Sequence, residues 1–213
     1  MTNSKLSVKF HQQDHKSELI ERMHDGFFKV DLYRVKNALI AGGQTEIFNR
    51  ELFERGEASA VLIYDPVRDL VVLTEQYRIG AALDSDSSPW LLEVVAGMIE
   101  AGESAADVAR REAEEEAGCQ LGELIPISSY WSSPGGTSEK VHLYCALVDS
   151  SGLGGIHGLA HEQEDILVKL IPFEDAFQGI ERGEINNAAT IIALQWLKLK
   201  HSELHAGKTK AVI

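Results

Sequence analysis

Cysteine is scarce in this chain, which has two among its 213 residues and no Cys-x-x-Cys pair. Cys119 and Cys145 are therefore expected to be buried free thiols in a reducing cytoplasm, where we predict that the protein is located. Long apolar runs are also missing. The N-terminus has no apolar stretch of signal-peptide length, and no run approaches the roughly 20 residues of a membrane-spanning helix.

Positive charge is sparse as well, because 20 Lys and Arg residues are outnumbered by 33 Asp and Glu residues, giving a net charge of −13. This balance argues against binding to nucleic acid or to an anionic membrane, both of which repel an acidic surface. An anionic substrate would need local arginines or bound metal. The length and the apolar content of 44% fit one main domain with a smaller one beside it.

The segment between Gly97 and Cys119 predicts a helix with carboxylates on its inner face. Ser104 is a suitable N-cap, and Gly118 is a suitable residue to end the helix. At about 100° per residue, Glu112, Glu115 and Glu116 fall within about 80° of Val108, on the apolar side.

Inward carboxylates are rare unless they are paired or bound to a metal. Clustered carboxylate oxygens suit a hard divalent cation, Mg²⁺ or Mn²⁺. The alternative is a solvated acidic helix face, which leaves the inward position of Glu112 and Glu116 unexplained.

Residues 1–56 are rich in short strand patterns and too few to bury a large core alone. The predicted strands lie within 6–10, 27–39 and 45–53. Residues 57–206 are predicted to form the main domain, and 207–213 a frayed tail. The predicted strands of the main domain are 58–64, 70–76, 90–96, 125–131, 140–148 and 166–171. Its helices, besides the one that follows Gly97, are 173–180 and 188 to about 200.

Two loops carry residues that suit ligand binding. Ser132–Glu139 contains Pro134, Gly135 and Gly136, which allow backbone N–H groups to approach a ligand, although a plain hairpin turn is the alternative. Residues 149–165 show little periodicity, and loops of this length are usually functional or disordered. Glu162 near its end could supply a base, or could belong to a solvated acidic loop.

The spacing from Gly97 through Glu103 to the run 111–119, Arg-Glu-Ala-Glu-Glu-Glu-Ala-Gly-Cys, resembles a complete Nudix box. Members of that family hydrolyse nucleoside diphosphates linked to another group, with divalent cations. The resemblance implies an α+β fold: an α/β/α sandwich with a mixed sheet, plus a small N-terminal antiparallel sheet.

The chain further resembles bacterial ADP-ribose pyrophosphatases, which carry a proline about sixteen residues beyond the box, where Pro134 lies fifteen residues beyond Cys119. This resemblance runs through nearly the whole chain and includes 26–28, 53–56, 65–69, 90–93, 133–139 and 155–160. It implies Mg²⁺-dependent hydrolysis of ADP-ribose to AMP and ribose 5-phosphate. GDP-mannose or ADP-glucose hydrolysis and a non-catalytic ADP-ribose sensor are the alternatives.

The same resemblance implies a role for individual residues. Two or three ions would be held by the Ala96 carbonyl, Glu112, Glu116 and Glu164, with Glu115 close by, and Glu162 would activate the attacking water. The residues expected to contact the substrate are Phe27, Phe28, Arg50, Glu51, Arg55, Arg78, Met98, Ser133, Pro134, Gly135 and Glu139. The N-terminal part would exchange between the subunits of a homodimer.

Overall fold

The computed structural model describes residues 6–206 of the chain, so the predicted tail 207–213 and the first five residues lie outside the described part. Contacts divide the chain into two compact units. The N-terminal unit contains the residues up to Gly56 together with Ser133–Glu139, and the larger unit contains Glu57–Ser132 and the residues from Lys140 onward. The sequence did not predict that 133–139 belongs with the N-terminal residues.

The N-terminal unit is a three-stranded antiparallel sheet of β1 (His15–Asp25), β2 (Lys29–Asn37) and β3 (Phe48–Glu54), in that order. The predictions of β2 and β3 are confirmed. The predicted strand at residues 6–10 is wrong, because that segment has no strand pairing. Strand β1 was not predicted, because its charged residues show no alternation and its strand conformation depends on pairing with β2.

The larger unit contains one mixed sheet. Its strands are β4 (Glu57–Asp65), β5 (Leu70–Tyr77), β6 (Trp90–Glu93), β7 (Val95–Met98), β8 (Leu124–Trp131), β9 (Lys140–Leu147), β10 (Gly155–His157) and β11 (Ile166–Pro172). The main path runs β10-β11-β5-β4-β9-β8, while β6 pairs with β5 and β7 with β4. Only β4 and β9 pair in parallel among these described strands, which makes the sheet mixed.

Within the described residues, this sheet is covered by the helices α1 (Ala105–Ala117), α2 (Phe173–Glu181) and α3 (Ala188–Ala206). Alternation along β4 directs Val61 and Ile63 into a core with α1, and Leu62 and Tyr64 into a core with α2 and α3. Helices on both sides of a mixed sheet, with a separate small antiparallel sheet, confirm the predicted fold class. None of the helices in the described range is long and apolar enough to cross a membrane.

Several predicted boundaries need correction. The single strand predicted for 90–96 is two strands, because β6 and β7 pair with different neighbours on either side of Val94. The segment 149–165 is not structureless, since it contains β10 and a turn of 3₁₀ helix at Ala160–Glu162. Helix α3 continues beyond residue 200. Cys119 and Cys145 are free and buried, as predicted.

Candidate active site

Helix α1 holds the predicted carboxylates in the predicted orientation. The Ser104 Oγ accepts the Asp107 N–H at 3.2 Å and caps the first turn. Gly118 ends the helix in the left-handed conformation, with φ of 60°. Between them Glu116 is buried, while Glu112 and Glu115 are half-buried and Glu114 faces solvent. The inward face therefore combines apolar and acidic side chains.

Glu116 is the most strongly perturbed of these carboxylates. Its exposed fraction is 3%, and its hydrogen bond comes from the Ala96 N–H at 3.4 Å. Burial and then the negative charge of Glu112 raise its pKa to about 8, although the positive charge of Arg78 opposes the shift. The buried carboxylate thus lacks an adjacent cationic hydrogen-bond donor in the described residues, and charge crowding disfavours its ionised form.

Glu112 approaches the backbone of β7 very closely. A Cβ atom on Gly97 would lie 1.7 Å from the Glu112 Oε1, so no larger residue fits there without moving the carboxylate. Burial raises the pKa of Glu112, and the Arg111 guanidinium opposes that effect. Glycine at position 97 therefore allows the carboxylate to lie against the strand.

Arg111 organises the helix face by bridging several carboxylates. Its Nη1 donates to the Glu112 Oε1 at 2.8 Å and to the Glu115 Oε2 at 3.0 Å, and its Nε donates to the Glu103 Oε1 at 3.1 Å. These ion pairs raise the pKa of the guanidinium despite its partial burial. Arg111 thus fixes the side chains of Glu112 and Glu115 and ties the helix to the preceding loop.

Glu164 comes from the loop before β11 and joins the same group. The loop lies against α1, where the Gly158 N–H donates to the Glu115 carbonyl at 3.4 Å. Burial is the main cause of the raised pKa of Glu112 and Glu116, and the negative charge of Glu164 adds to the shift in both. The Leu159 N–H donates to the Glu164 Oε2 at 3.1 Å. Gly158 allows this approach, because its φ is +100° and a Cβ there would lie 2.7 Å from the Glu164 Cβ.

Glu162 has a different environment. It ends the 3₁₀ turn, its side chain is 56% exposed, and its Oε1 lies 3.6 Å from the His161 Nε2. In the described part of the chain, no hydrogen bond joins Glu162 to Glu112, Glu116 or Glu164. The predicted base therefore lies on the same loop as Glu164, with its carboxylate directed toward solvent.

Arg78 lies beside the carboxylates at the end of β5. Its Nε donates to the Glu93 Oε2 at 2.6 Å, and its charge lowers the pKa of Glu116. Sequence reasoning did not identify Glu93, because fifteen residues separate it from Arg78 and the antiparallel pairing of β5 with β6 brings the two together. Met98, at the end of β7, is 41% exposed.

The predicted substrate contacts of the N-terminal unit form a cluster of aromatic rings. Phe27 is 84% exposed and lies 4.8 Å from the Phe28 ring, which in turn lies 5.1 Å from Phe53. The Arg55 guanidinium lies 4.9 Å from the Phe28 centroid, and its Nε donates to the Glu139 Oε1 at 2.6 Å. An exposed aromatic ring with a cation nearby suits a planar anionic ligand.

The remaining predicted residues of this unit are exposed. Arg50 lies over the Phe48 ring at 4.5 Å, and Glu51 pairs with Leu32 across the sheet. In the loop 133–139, the Ser133 carbonyl accepts the Gly136 and Thr137 N–H groups, and the loop bonds to β3 through Phe53. Its exposed members are Ser133, Pro134, Gly135 and Gly136.

The carboxylate group fits a divalent metal ion. Glu112, Glu116 and Glu164 repel one another and lie partly or wholly buried, which is unfavourable without a compensating cation. Hard oxygen donors of this kind prefer Mg²⁺, Mn²⁺ or Ca²⁺. The donor set therefore matches the metal chemistry that the sequence predicted.

Comparison with known proteins gives concordant results. A family profile described as "NUDIX domain" matches residues 54–195. The ADP-ribose pyrophosphatase of Escherichia coli (strain K12) is 51% identical over 199 residues, which cover 93% of this chain and 95% of that protein. The ADP-ribose pyrophosphatase of Haemophilus influenzae is 48% identical over 197 residues, covering 92% and 91% of the two chains.

A solved structure described as "ADP compounds hydrolase" is similar in fold. The TM-score is 0.58, the sequence identity is 22%, and the match covers 87% of this chain and 93% of that one. At this identity the similarity concerns the fold alone.

Proposed function

Because the chain belongs to the NUDIX family, we propose that it hydrolyses the pyrophosphate bond of ADP-ribose to give AMP and ribose 5-phosphate. The substrate is supported by two ADP-ribose pyrophosphatases that are 48% and 51% identical across more than nine-tenths of the chain. The observation that supports the catalytic part is the cluster of Glu112, Glu116 and Glu164, whose crowded negative charges a bound cation would stabilise.

We propose that the Ala96 carbonyl, Glu112, Glu116 and Glu164 hold two or three Mg²⁺ ions, with Mn²⁺ as a possible substitute. The ions, when bound, would neutralise charge on the non-bridging phosphate oxygens. The side chains of the protein set the positions of the ligands. Arg111 holds Glu112 and Glu115 through hydrogen bonds of 2.8 and 3.0 Å, and Gly97 leaves room for Glu112.

Glu162 is the proposed general base. Its exposed carboxylate would accept a proton from the attacking water, whereas Glu116 is buried and 3% exposed. The Gly158–Glu164 segment would bring Glu162 toward the phosphates when substrate binds, since this loop already carries Glu164 at the carboxylate cluster. The Arg78 guanidinium would give up part of its hydrogen bonding to Glu93 and donate to a phosphate oxygen instead.

We propose that the substrate is recognised by the contact residues predicted from the sequence. Phe27 and Phe28 would flank the adenine, a role supported by the 84% exposure of Phe27. The other proposed contacts are Arg50, Glu51, Arg55, Met98, Ser133, Pro134, Gly135 and Glu139. Because Arg55 and Glu139 already pair at 2.6 Å, their contribution would be a fixed ion pair and not two independent charges.

We also propose a homodimer in which the N-terminal units are exchanged, in the cytoplasm. Strand β1 is exposed along all eleven residues, including Leu19, Ile20 and Met23, and a sheet edge of this kind is normally covered. The two free cysteines suit a reducing compartment.

The test is product analysis with the purified protein and Mg²⁺. The panel contains ADP-ribose, ADP-glucose, GDP-mannose, NADH and diadenosine polyphosphates. We expect AMP and ribose 5-phosphate from ADP-ribose, with a specificity constant well above that for the other compounds. A preference for GDP-mannose would overturn the proposed adenine contacts, and binding of ADP-ribose without turnover would indicate a sensor.

A further inference from the structure

A second cluster of metal-binding side chains lies far from the carboxylates of α1. It contains Asp69, His201 and His205, whose candidate ligand atoms all lie within 4.8 Å of one another. Asp69 directly precedes β5, and Arg78 directly follows it. An eight-residue strand spans about 26 Å, so the cluster and the proposed catalytic site lie at opposite ends of β5.

Asp69 provides a rigid ligand position. Its backbone has a φ of +56° in the turn between β4 and β5, and its carbonyl accepts the Phe173 N–H at 2.9 Å. Its Oδ1 accepts the Tyr64 hydroxyl at 2.7 Å. Carboxylate ligands of metals are often oriented by such a second hydrogen bond.

His201 is held in place on helix α3. Its ring stacks on Phe173 with centroids 4.8 Å apart, and its Nε2 lies 2.7 Å from the Asp69 Oδ1. The His201 imidazole is therefore directed at the Asp69 carboxylate. This hydrogen bond by itself would be explained by a structural contact between α3 and the β4–β5 turn.

His205 is a second histidine beside this contact, and the hydrogen bond between His201 and Asp69 does not require it. It lies four residues after His201 on the same helix, and its ring is nearly parallel to that of His201 at a centroid separation of 5.4 Å. Two histidines spaced i and i+4 place both imidazoles on one side of a helix, the spacing used by helical zinc sites. His205 is exposed, so an ion can reach the cluster from solvent.

We propose that Asp69, His201 and His205 bind a divalent transition-metal ion, with Zn²⁺ as the representative species. Two imidazoles and one carboxylate match the three-ligand zinc sites that leave a fourth position for water. Ligand atoms around tetrahedral Zn²⁺ lie roughly 3.3 Å apart, from bond lengths of about 2.0 Å. Asp69 and His201 would separate slightly, and His205 would rotate inward. The bound ion would tie helix α3 to the β4–β5 turn.

The experiment measures Zn²⁺ binding to the full chain by competition with a fluorescent zinc indicator. The protein is first stripped with chelator and then saturated with millimolar Mg²⁺, so that the carboxylates of α1 hold Mg²⁺. Wild type, His205→Ala and His24→Ala are compared, since His24 is an exposed histidine outside the cluster. Co²⁺ is added in parallel, because its visible absorption reports tetrahedral coordination.

We expect one Zn²⁺ per wild-type chain and per His24→Ala chain, with at least a tenfold loss of affinity in His205→Ala. The Co²⁺ absorption should be present in wild type and in His24→Ala, and it should be lost in His205→Ala. Equal Zn²⁺ affinity in wild type and His205→Ala would overturn the proposal, as would the absence of any Zn²⁺ binding in the presence of Mg²⁺. Replacing one exposed side chain leaves the Asp69–His201 hydrogen bond intact, so the variant should fold.

Discussion

At the scale of single residues, the carboxylates of α1 differ by their surroundings and not by their chemistry. Glu114 faces solvent, whereas Glu116 is 3% exposed and its pKa is raised to about 8. The helical wheel predicted which glutamates turn inward, because helix periodicity is a local property. It could not predict the neighbours supplied by distant segments, such as Glu164 from the loop or the Arg78–Glu93 pair from two strands.

The raised pKa of Glu116 predicts how the stability of the metal-free protein depends on pH. Since the pKa is higher in the folded state than the roughly 4.3 of an unfolded chain, the folded state binds more protons between the two values. Stability from this group is fully present below about pH 4 and is lost as pH rises through about 8. The slope contributed is at most about 1.4 kcal/mol per pH unit.

The measurement is the melting temperature in chelator from pH 6 to pH 9, for wild type, Glu116→Gln and Glu114→Gln. Glu116→Gln should flatten the decline seen in the other two proteins, because the amide does not ionise. Added Mg²⁺ should restore wild-type stability at high pH. Identical profiles for all three proteins would mean that Glu116 ionises without cost.

The proposed base is separable from the proposed metal ligands. Glu162→Gln should lower kcat by a factor of about 10² to 10⁴ while leaving ADP-ribose binding largely intact. Glu112→Gln should also weaken Mg²⁺ binding, because it removes a ligand. Calorimetric titration of Mg²⁺ and substrate into each variant distinguishes the two effects, and unchanged turnover in Glu162→Gln would remove the base assignment.

At the scale of elements, local sequence signals predicted the ends of a helix reliably, whereas the sequence did not predict which strands pair. The bounds of α1 follow from the Ser104 cap and from Gly118, so the sequence predicted them directly. Strand β1 has the polar composition of a helix or loop, and the partner strand β2 decides its conformation. The same dependence on partners divides 90–96 into β6 and β7.

The contact between β7 and α1 predicts the effect of a single methyl group. Gly97→Ala would place a Cβ 1.7 Å from the Glu112 Oε1, so the carboxylate must move away from the strand. We expect turnover to fall by tenfold or more with the fold retained, together with weaker Mg²⁺ binding. Gly122→Ala is the control, because a Cβ there meets no atom within 4 Å; equal losses in both variants would contradict the role of Gly97.

At the scale of the whole molecule, the proposed dimer depends on the exposed strand β1. Leu19 and Met23 are 49% and 51% exposed there, and a charge at either position would oppose burial in an interface. Light scattering should give about twice the 23.4 kDa of one chain for wild type. Met23→Glu should raise the dimer dissociation constant at least tenfold and lower activity in parallel.

Val67→Glu provides the matched control, since Val67 is an apolar residue exposed in the β4–β5 turn. It introduces the same charge outside β1 and should leave the mass unchanged. A wild-type mass equal to one chain would contradict the dimer.

Because Ser133–Glu139 belongs to the N-terminal unit, this unit cannot finish folding early in synthesis. Strand β3 bonds to this loop through the Phe53 N–H and carbonyl, and Arg55 pairs with Glu139. As the chain leaves the ribosome, its first 56 residues must wait until residue 139 has emerged before these contacts can form. The part made first is therefore completed late, after strands β4 to β8 of the other unit are already available to fold.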